Sequence, residues 1–298
     1  MSAWSTPAPG VRVRTSRCYA MNSVLLADDG HALVIDPGVL PSELDELAAA
    51  VAEAAPGFER VAVAFTHPHW DHVLGLPWFP AATTFAHAGF ADELERDAQT
   101  IASEAERWIG EAGERSPQRF RAFTPDLKAR GTAQVRLGPV DVVTYDTPGH
   151  SGSHLALWLP ASGTLVAGDL LSDIEIPWLD AAPWVYRGSL KSLHWLFEQE
   201  DVQLLVPGHG PVAHGRRDGY RRLLRDMSYL LHLEERVGDA WKRGLTLEET
   251  RADLASMDYL GKDAAYAMNH VHAENVRFAW QALADRAAPD GNVPTGSP

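Results

Sequence analysis

The sequence predicts an α/β fold: a sandwich of two β-sheets with helices on its outer faces, followed by a helical C-terminal extension. Three observations point there. Short apolar runs of strand length occur in both halves of the chain, with amphipathic helical segments between them. Several runs end in loops bearing Gly, Pro, Asp or His: VIDPG, FTHPHWDH, TPGHSGS, VAGD and VPGHG. Beyond residue 215 the pattern is helical throughout. Periodicity alone leaves other α/β arrangements open.

Residues 1–10 read as a flexible lead-in. Residues 11–36 read as β structure turning at Asp28-Asp29-Gly30, with the run Ala32–Ile35 ending in Asp36-Pro37-Gly38. Ser42 precedes a helical pattern carried by Leu40, Leu44, Leu47 and Val51. Arg60–Phe65 is a buried strand that runs directly into Thr66-His67-Pro68-His69-Trp70-Asp71-His72. Residues 89–115 read as helix, with Leu94, Ile101 and Trp108 as a packing stripe, inside a helical insertion over about 89–130. Val140–Tyr145, Leu155–Leu159 and Thr164–Ala167 return to β, Ser189–Phe197 is helical, and Val202–Val206 is the last strand. Helices follow over 215–237, 246–256 and 264–285, broken at Gly238 and Gly244. The expected division is a core over 1–215, a helical extension over 216–287 and a disordered tail over 288–298.

The chain has 298 residues, enough for one large domain or two small ones. Against 26 Lys and Arg stand 40 Asp and Glu, a net charge of −14. That balance disfavours a binder of nucleic-acid phosphates and docking on an anionic membrane. A single cysteine, Cys18, excludes an intramolecular disulfide and a cysteine-based zinc finger, and reads as inert. The N-terminal residues carry no apolar signal stretch, and no run approaches 18 apolar residues. The expectation is a cytoplasmic protein acting on a small molecule, with the oligomeric state open and a homodimer among the alternatives.

The polar residues at the strand ends are Asp36, the set His67, His69, Asp71 and His72, then His150, Asp169 and His209. Imidazole nitrogen and carboxylate oxygen suit zinc, iron or manganese. Seven such ligands exceed what one tetrahedral ion takes and suffice for two ions sharing a carboxylate. In the tight H-x-H-x-D-H run, alternate residues of an extended loop face one side, so His67 and His69 can grip one ion while Asp71 and His72 reach a second.

In these motifs, taken in order, the sequence resembles the metallo-β-lactamase superfamily over roughly residues 20–215. The resemblance implies the family's αββα sandwich and a binuclear zinc hydrolase, with iron or manganese as alternative metals. It implies that His67, His69 and His150 bind the first metal, that Asp71, His72 and His209 bind the second, and that Asp169 bridges both. Asp36 would orient the ligand loop by hydrogen bonds. Two cations would generate a hydroxide that attacks an ester, thioester, lactone or amide carbonyl, with Asp71 passing a proton to the leaving group. His69, where the oxygen-reducing di-iron branch has a carboxylate, disfavours that branch. The absence of a cysteine at the site disfavours the cysteine-ligated lactamase type, and the lack of a long insertion after Asp169 disfavours the nucleases. Two alternatives stay open: a mononuclear iron dioxygenase of the same fold, and an inactive binding protein on the scaffold.

Trp70, Trp178, Trp184 and Tyr186 are candidates for an aromatic substrate wall, and Tyr186 could donate to a carbonyl oxygen as a tyrosine does in lactone-cleaving relatives. Ordinary packing is the competing reading for each. His154 reads as hydrated or bonded to backbone, and His31, His87, His194, His214 and His232 as surface or packing residues. His270 and His272 could bring one imidazole to the pocket.

Overall fold

Two mixed sheets carry the apolar runs in the computed structural model, which describes residues 4–56, 60–138, 140–257 and 269–287. The first is ordered β1 (Trp4–Ala8), β2 (Val11–Thr15), β3 (Asn22–Asp28), β4 (His31–Ile35), β5 (Val61–Ala64), β6 (Thr83–His87) and β7 (Leu127–Ala129). The second runs β13 (Ala213–His214), β12 (Leu204–Val206), β11 (Thr164–Val166), β10 (Leu155–Leu159), β9 (Val140–Asp146) and β8 (Ala133–Leu137). In the first sheet β1–β4 are antiparallel and β4–β7 parallel. Asp29 and Gly30 both take positive φ between β3 and β4, which is what a two-residue hairpin loop with right-handed strand twist demands.

The helices are α1 (Pro41–Ala54), α2 (Trp70–Val73), α3 (Phe90–Arg96), α4 (Ala98–Glu111), α5 (Pro183–Gln199), α6 (Gly215–Lys242), α7 (Leu247–Leu254) and α8 (Asn269–Ala287). Val24, Leu33 and Ile35 of the first sheet meet Leu155, Leu157 and Val206 of the second in the central core. The outer face of the first sheet buries Leu44, Leu47 and Val51 of α1 with Phe90 and Ile101. The outer face of the second buries Tyr186 and Leu193 of α5 with Leu230, Leu233, Val271 and Val276. The layering is therefore αββα. The C-terminal helices share one continuous apolar cluster with the second sheet instead of enclosing a core of their own.

Several elements differ from the sequence reading. Residues 4–8 form the edge strand β1, not a lead-in, and Thr83–His87 adds β6. Helix α1 begins at Pro41, two residues earlier than a cap at Ser42 would set it, because proline's fixed φ and missing N–H suit the first helical position. Pro183 starts α5 in the same way, so Trp184 and Tyr186 are helical. In the region 89–130 the helices end at Glu111, and residues 127–129 join the first sheet. Gly238 does not break α6: it lies in open space, while its neighbour Val237 is fully buried, and the break comes at Gly244 with φ +76°. The start of the helix expected at 264 and the tail 288–298 lie outside the described residues.

Candidate metal centre

The C-terminal ends of β4, β5, β9, β11 and β12 meet at one edge of the sandwich, so the loops that follow them converge. The structure brings the seven expected ligands together as two groups. His67, His69, His150 and Asp169 form one, and Asp71, His72 and His209 the other, with donor atoms in each group within 4.8 Å of one another. Asp169 stands between them. Its Oδ2 lies 3.5 Å from His67 Nε2 and 3.2 Å from His150 Nε2, and its Oδ1 lies 3.1 Å from His72 Nε2 and 3.4 Å from His209 Nε2. Asp71 Oδ2 is 3.2 Å from His209 Nε2, and His69 Nδ1 is 2.9 Å from His150 Nε2.

Four of the imidazoles have their outer nitrogen engaged by an acceptor. His72 Nδ1 donates to Asp36 Oδ2 at 3.0 Å, and His67 Nδ1 to Thr66 Oγ1 at 3.0 Å. His150 Nδ1 donates to the Trp178 carbonyl at 3.2 Å, and His209 Nδ1 to the Tyr19 carbonyl at 2.9 Å. In its neutral form, with Nδ1 protonated, each ring turns the lone pair of Nε2 inward. The inner atoms His67 Nε2, His72 Nε2 and Asp169 Oδ1 are buried and have no hydrogen-bond partner. A buried polar atom without a partner is costly, and converging lone pairs without donors are what a cation satisfies. The residues present thus fit divalent metal.

Asp36 is not in either group. Its carboxylate, on a backbone at φ +49°, accepts from the Thr66 N–H at 2.7 Å, the Thr66 hydroxyl at 2.6 Å and His72. It therefore orients two histidines, one directly and one through Thr66. Asn22, in β3, donates its amide to the carbonyls of Pro207 and Gly210 and pins the loop that carries His209. Gly208 leaves no room for a side chain, since a Cβ there would run into Asp169 Oδ1.

The electrostatics of the metal-free cluster split the histidines. Burial, reinforced by neighbouring imidazoles, holds His67 well below its ordinary range and pushes His69 down to about 3. Burial acts the same way on His72 and His209, but the carboxylate of Asp169, joined at His72 by those of Asp71 and Asp36, overrides it and holds both well above. Burial would raise Asp169, yet His72, His209 and His67 keep it well below the usual carboxylate range.

Of the aromatic candidates, Trp70 lies on α2 and stacks on Trp108, with ring centroids 6.2 Å apart. Trp178, 46% exposed, has its ring 6.3 Å from those of His150 and His270. The other two do not form a wall. Trp184 packs against the Arg286 guanidinium, 3.5 Å from the ring centroid. Tyr186 is buried in the core, and its hydroxyl donates to the Asp169 backbone carbonyl at 3.3 Å. His272 bonds to Tyr229 and the Leu254 carbonyl instead of reaching the pocket. A cleft of about 890 Å³ lies elsewhere, between α1, α4 and residues 113–123, and none of the seven residues lines it.

Sequence reasoning missed three contributors and the structural role of a fourth, His154. Tyr19 supplies the carbonyl to His209, and its half-exposed ring lies 4.6 Å from that of Trp108. His154 is fully buried, its Nδ1 on the Thr147 hydroxyl at 2.7 Å and its Nε2 accepting from the Asp169 N–H at 3.2 Å, so the backbone bond expected of it holds the bridging position in place. Asn275, on α8, accepts from the Leu179 N–H at 2.9 Å and donates to the Pro177 carbonyl at 2.6 Å, gripping the loop whose Trp178 carbonyl orients His150. Glu175 follows the bridging residue in sequence, and burial pushes its carboxyl up to about 7, against the pull of His209 and His150. None of the four belongs to a recognisable motif.

Comparisons with known proteins agree with this geometry. A family model of the metallo-beta-lactamase superfamily matches residues 17–225. A probable metallo-hydrolase, YqgX of Bacillus subtilis, is 24% identical over 199 residues, covering 64% of this chain and 85% of that protein. A hydroxyacylglutathione hydrolase of Xanthomonas campestris is 32% identical over 149 residues, covering 49% of this chain and 44% of its own length. Among solved structures, the sec-alkylsulfatase Pisa1 from Pseudomonas sp. superposes with TM-score 0.70 at 16% identity, over 95% of this chain and 50% of that one. A metallo-beta-lactamase family protein from Thermus thermophilus superposes with TM-score 0.63 at 21% identity, over 91% and 94%. These two likenesses show the fold. The chain spans less than half the hydroxyacylglutathione hydrolase and half the alkylsulfatase. The converging loops, the paired donor groups and the match over most of the sequence place the chain in the metallo-beta-lactamase superfamily.

Proposed function

We propose that this metal-dependent hydrolase holds two divalent cations, zinc in the first instance, and cleaves an ester, thioester, lactone or amide of a small molecule. His67, His69 and His150 would hold one cation, Asp71, His72 and His209 the other, and Asp169 would bridge them. The observation that carries this reading is the placement of Asp169, with one carboxylate oxygen toward each group of imidazoles. Bound there, the pair supplies a water acidic enough to act as hydroxide near neutral pH and polarises the scissile carbonyl. The chain's own residues set the stage for that chemistry. Asp36, Thr66 and the carbonyls of Tyr19 and Trp178 fix the imidazole tautomers. Asp71 accepts the proton of the attacking water and hands it to the leaving atom. Trp70 and Trp178 offer apolar surface to the acyl part.

Residues to about 215 form the metal-binding core in this reading, and 216–287 an extension that braces it through Asn275. Among the described residues no helix is long and apolar enough to cross a membrane. The reading places the protein in the cytoplasm, with a small-molecule substrate and no nucleic-acid or membrane partner. The partial likeness to a hydroxyacylglutathione hydrolase puts thioesters first in the panel. Elemental analysis should give two zinc ions per chain, with turnover on at least one of an ester, a thioester and a lactone. Less than one equivalent of metal with no hydrolysis across that panel refutes the reading. One iron per chain with oxygen uptake replaces it with the dioxygenase alternative.

A further inference from the structure

Away from the metal centre, the cleft of about 890 Å³ opens between α1, α4 and the segment 113–123. That volume is in the range of small-molecule sites, and an open apolar concavity of this size marks a place where something binds. Val39, Leu44 and Val73 are buried at its floor, and Leu74, Phe120 and Phe123 are half-buried along its walls. These side chains come from two apolar clusters. Leu44 and Val73 pack with the outer face of the first sheet, while Val39 packs with Ala105 and Ile109 of α4. The cleft is lined from both clusters, and Leu74 packs against each of them.

The rim is basic. Arg115, Arg119 and Arg121 line the cleft and are exposed, and among the described residues their side chains have no hydrogen bond or ion pair. Two carboxylates share the lining, Glu106 and Glu114. Glu114 is committed elsewhere, to the Arg17 guanidinium and to the Ser42 hydroxyl and N–H at 2.7 and 2.9 Å. That leaves Glu106 alone against three guanidiniums. The chain as a whole carries −14, a charge that repels anions in general. Three unpaired arginines beside an apolar cleft are a local exception to it, and they complement an anion carried on a hydrocarbon.

We propose that this cleft binds a single-chain aliphatic anion. Its hydrocarbon tail lies on Leu44, Val73, Leu74 and Phe123, and its oxyanion head, a carboxylate or a phosphate, meets Arg115, Arg119 and Arg121. The planar guanidinium fork takes either head in a bidentate pair. Removing the tail from water supplies most of the affinity, and the arginines select the sign of the head. None of the seven residues of the metal cluster lines the cleft, so the assignment stands apart from the hydrolase reading.

Isothermal titration of the full chain with hexanoate, octanoate and decanoate, each below its micellar concentration, tests the assignment. Decyl phosphate, decanol and decyltrimethylammonium vary the head on a constant tail. One anion should bind per chain, and each added methylene should tighten binding by about two- to fourfold. Binding of either decyl anion supports the assignment, and the tighter of the two names the head. Decanol should bind about tenfold more weakly than the better anion, and the cation more weakly still. Because a carboxylate can also coordinate a metal, each titration is run on zinc-loaded and on chelated protein, and the affinity should be the same in both. Arg119→Gln should weaken binding by about two- to fivefold, and Arg115→Gln, Arg119→Gln and Arg121→Gln combined by about tenfold. These three positions are exposed, so the fold tolerates the changes. Ala105→Phe, which sends a ring into the cleft from α4, should abolish binding. Uptake without saturation, equal affinity for decanol, or affinity unmoved by the combined arginine variant overturns the assignment. So does binding that vanishes on chelation, which would put the anion on the metal centre. Capture by anionic vesicles with no binding of monomeric decanoate or decyl phosphate also overturns it, and replaces the small amphiphile with a membrane surface.

Discussion

Asp36 holds the metal centre from outside it, and Asp36→Asn probes that hold with almost no change in shape. The carboxylate accepts three hydrogen bonds at 2.6–3.0 Å and is 2% exposed. An amide in its place keeps an oxygen for the Thr66 N–H but presents an NH₂ where Oδ2 met the Thr66 hydroxyl and His72 Nδ1. Two donors then face donors. The imidazole's simplest escape is the other tautomer, which puts the proton on Nε2, 3.1 Å from Asp169 Oδ1, and removes its lone pair from the cluster. Loss of such an orienting partner weakens metal binding by about 10- to 100-fold, or roughly 1.4–2.7 kcal/mol. Asp36→Ala leaves three buried donors unsatisfied at about 1–3 kcal/mol each, less any relaxation, for a total near 3–6 kcal/mol. The assay is zinc competition against a chromogenic chelator, with imidazole nitrogen NMR reporting the His72 tautomer. If Asp36→Asn binds zinc as tightly as wild type, or His72 keeps its proton on Nδ1, the account of Asp36 is wrong.

Four further outcomes follow from the same geometry. Gly208→Ala places a Cβ against Asp169 Oδ1, so the protein should fold yet retain less than half its metal after dialysis, as elemental analysis would show; full occupancy refutes the steric argument. Asn275→Ala frees the loop at 177–179 and should lower zinc affinity by about tenfold at unchanged stoichiometry, with chelator competition as the readout, whereas equal affinity means that α8 does not support the site. The chelated protein should be most heat-stable near pH 6.5. His67, His69 and His154 are held neutral and bind fewer protons than in the unfolded chain, so stability falls below the ordinary histidine value of 6.5, while His72 and His209 are held protonated and stability falls above it. A Tm that climbs steadily from pH 6.5 to about 8.5 in chelator would contradict those directions, and zinc addition near pH 7 should release protons in buffer-dependent calorimetry. Burial pushes the Cys18 thiol up to about 11, so alkylation near pH 8 should be slow until the protein is unfolded; rapid native-state labelling counts against it.

The ligands were legible in the sequence because each lies just beyond a strand, in a loop whose glycine or proline announces a turn or, for Asp71 and His72, on the short helix α2 that such a loop opens. Position in the chain and residue type together carried the information. The supports were not legible, for reasons that differ in kind. Two of them, the Tyr19 and Trp178 carbonyls, are backbone atoms, and any residue at those positions has one. Asn275 acts across 96 to 98 residues of chain on a loop that no local pattern links to it. The strand Thr83–His87 pairs on both sides, yet it is short and opens with two threonines. Gly238 costs α6 about 1 kcal/mol relative to alanine, but the buried face at Leu230, Leu233 and Val237 outweighs that, so a local signal lost to packing.

Backbone strain is concentrated where those invisible supports lie. Of the five described non-glycine residues with positive φ, Asp29 is accounted for by its hairpin, while Tyr19, Ala20, Asp36 and Leu171 surround the metal centre. Each such residue costs on the order of 1–2 kcal/mol and persists only when its surroundings over-determine it. The carbonyls of the first two show what the conformation achieves. Tyr19 turns its oxygen to His209 Nδ1, and Ala20 turns its oxygen to the Gly210 N–H at 2.9 Å, so consecutive left-handed residues clasp the loop that carries a ligand. Asp36 aims its carboxylate back at Thr66 and His72 in the same way. A relaxed backbone at these positions would direct the same groups elsewhere. The strain thus lies in the supports that fix the rings' directions, and the ligand side chains can then converge with their inner nitrogens unpaired.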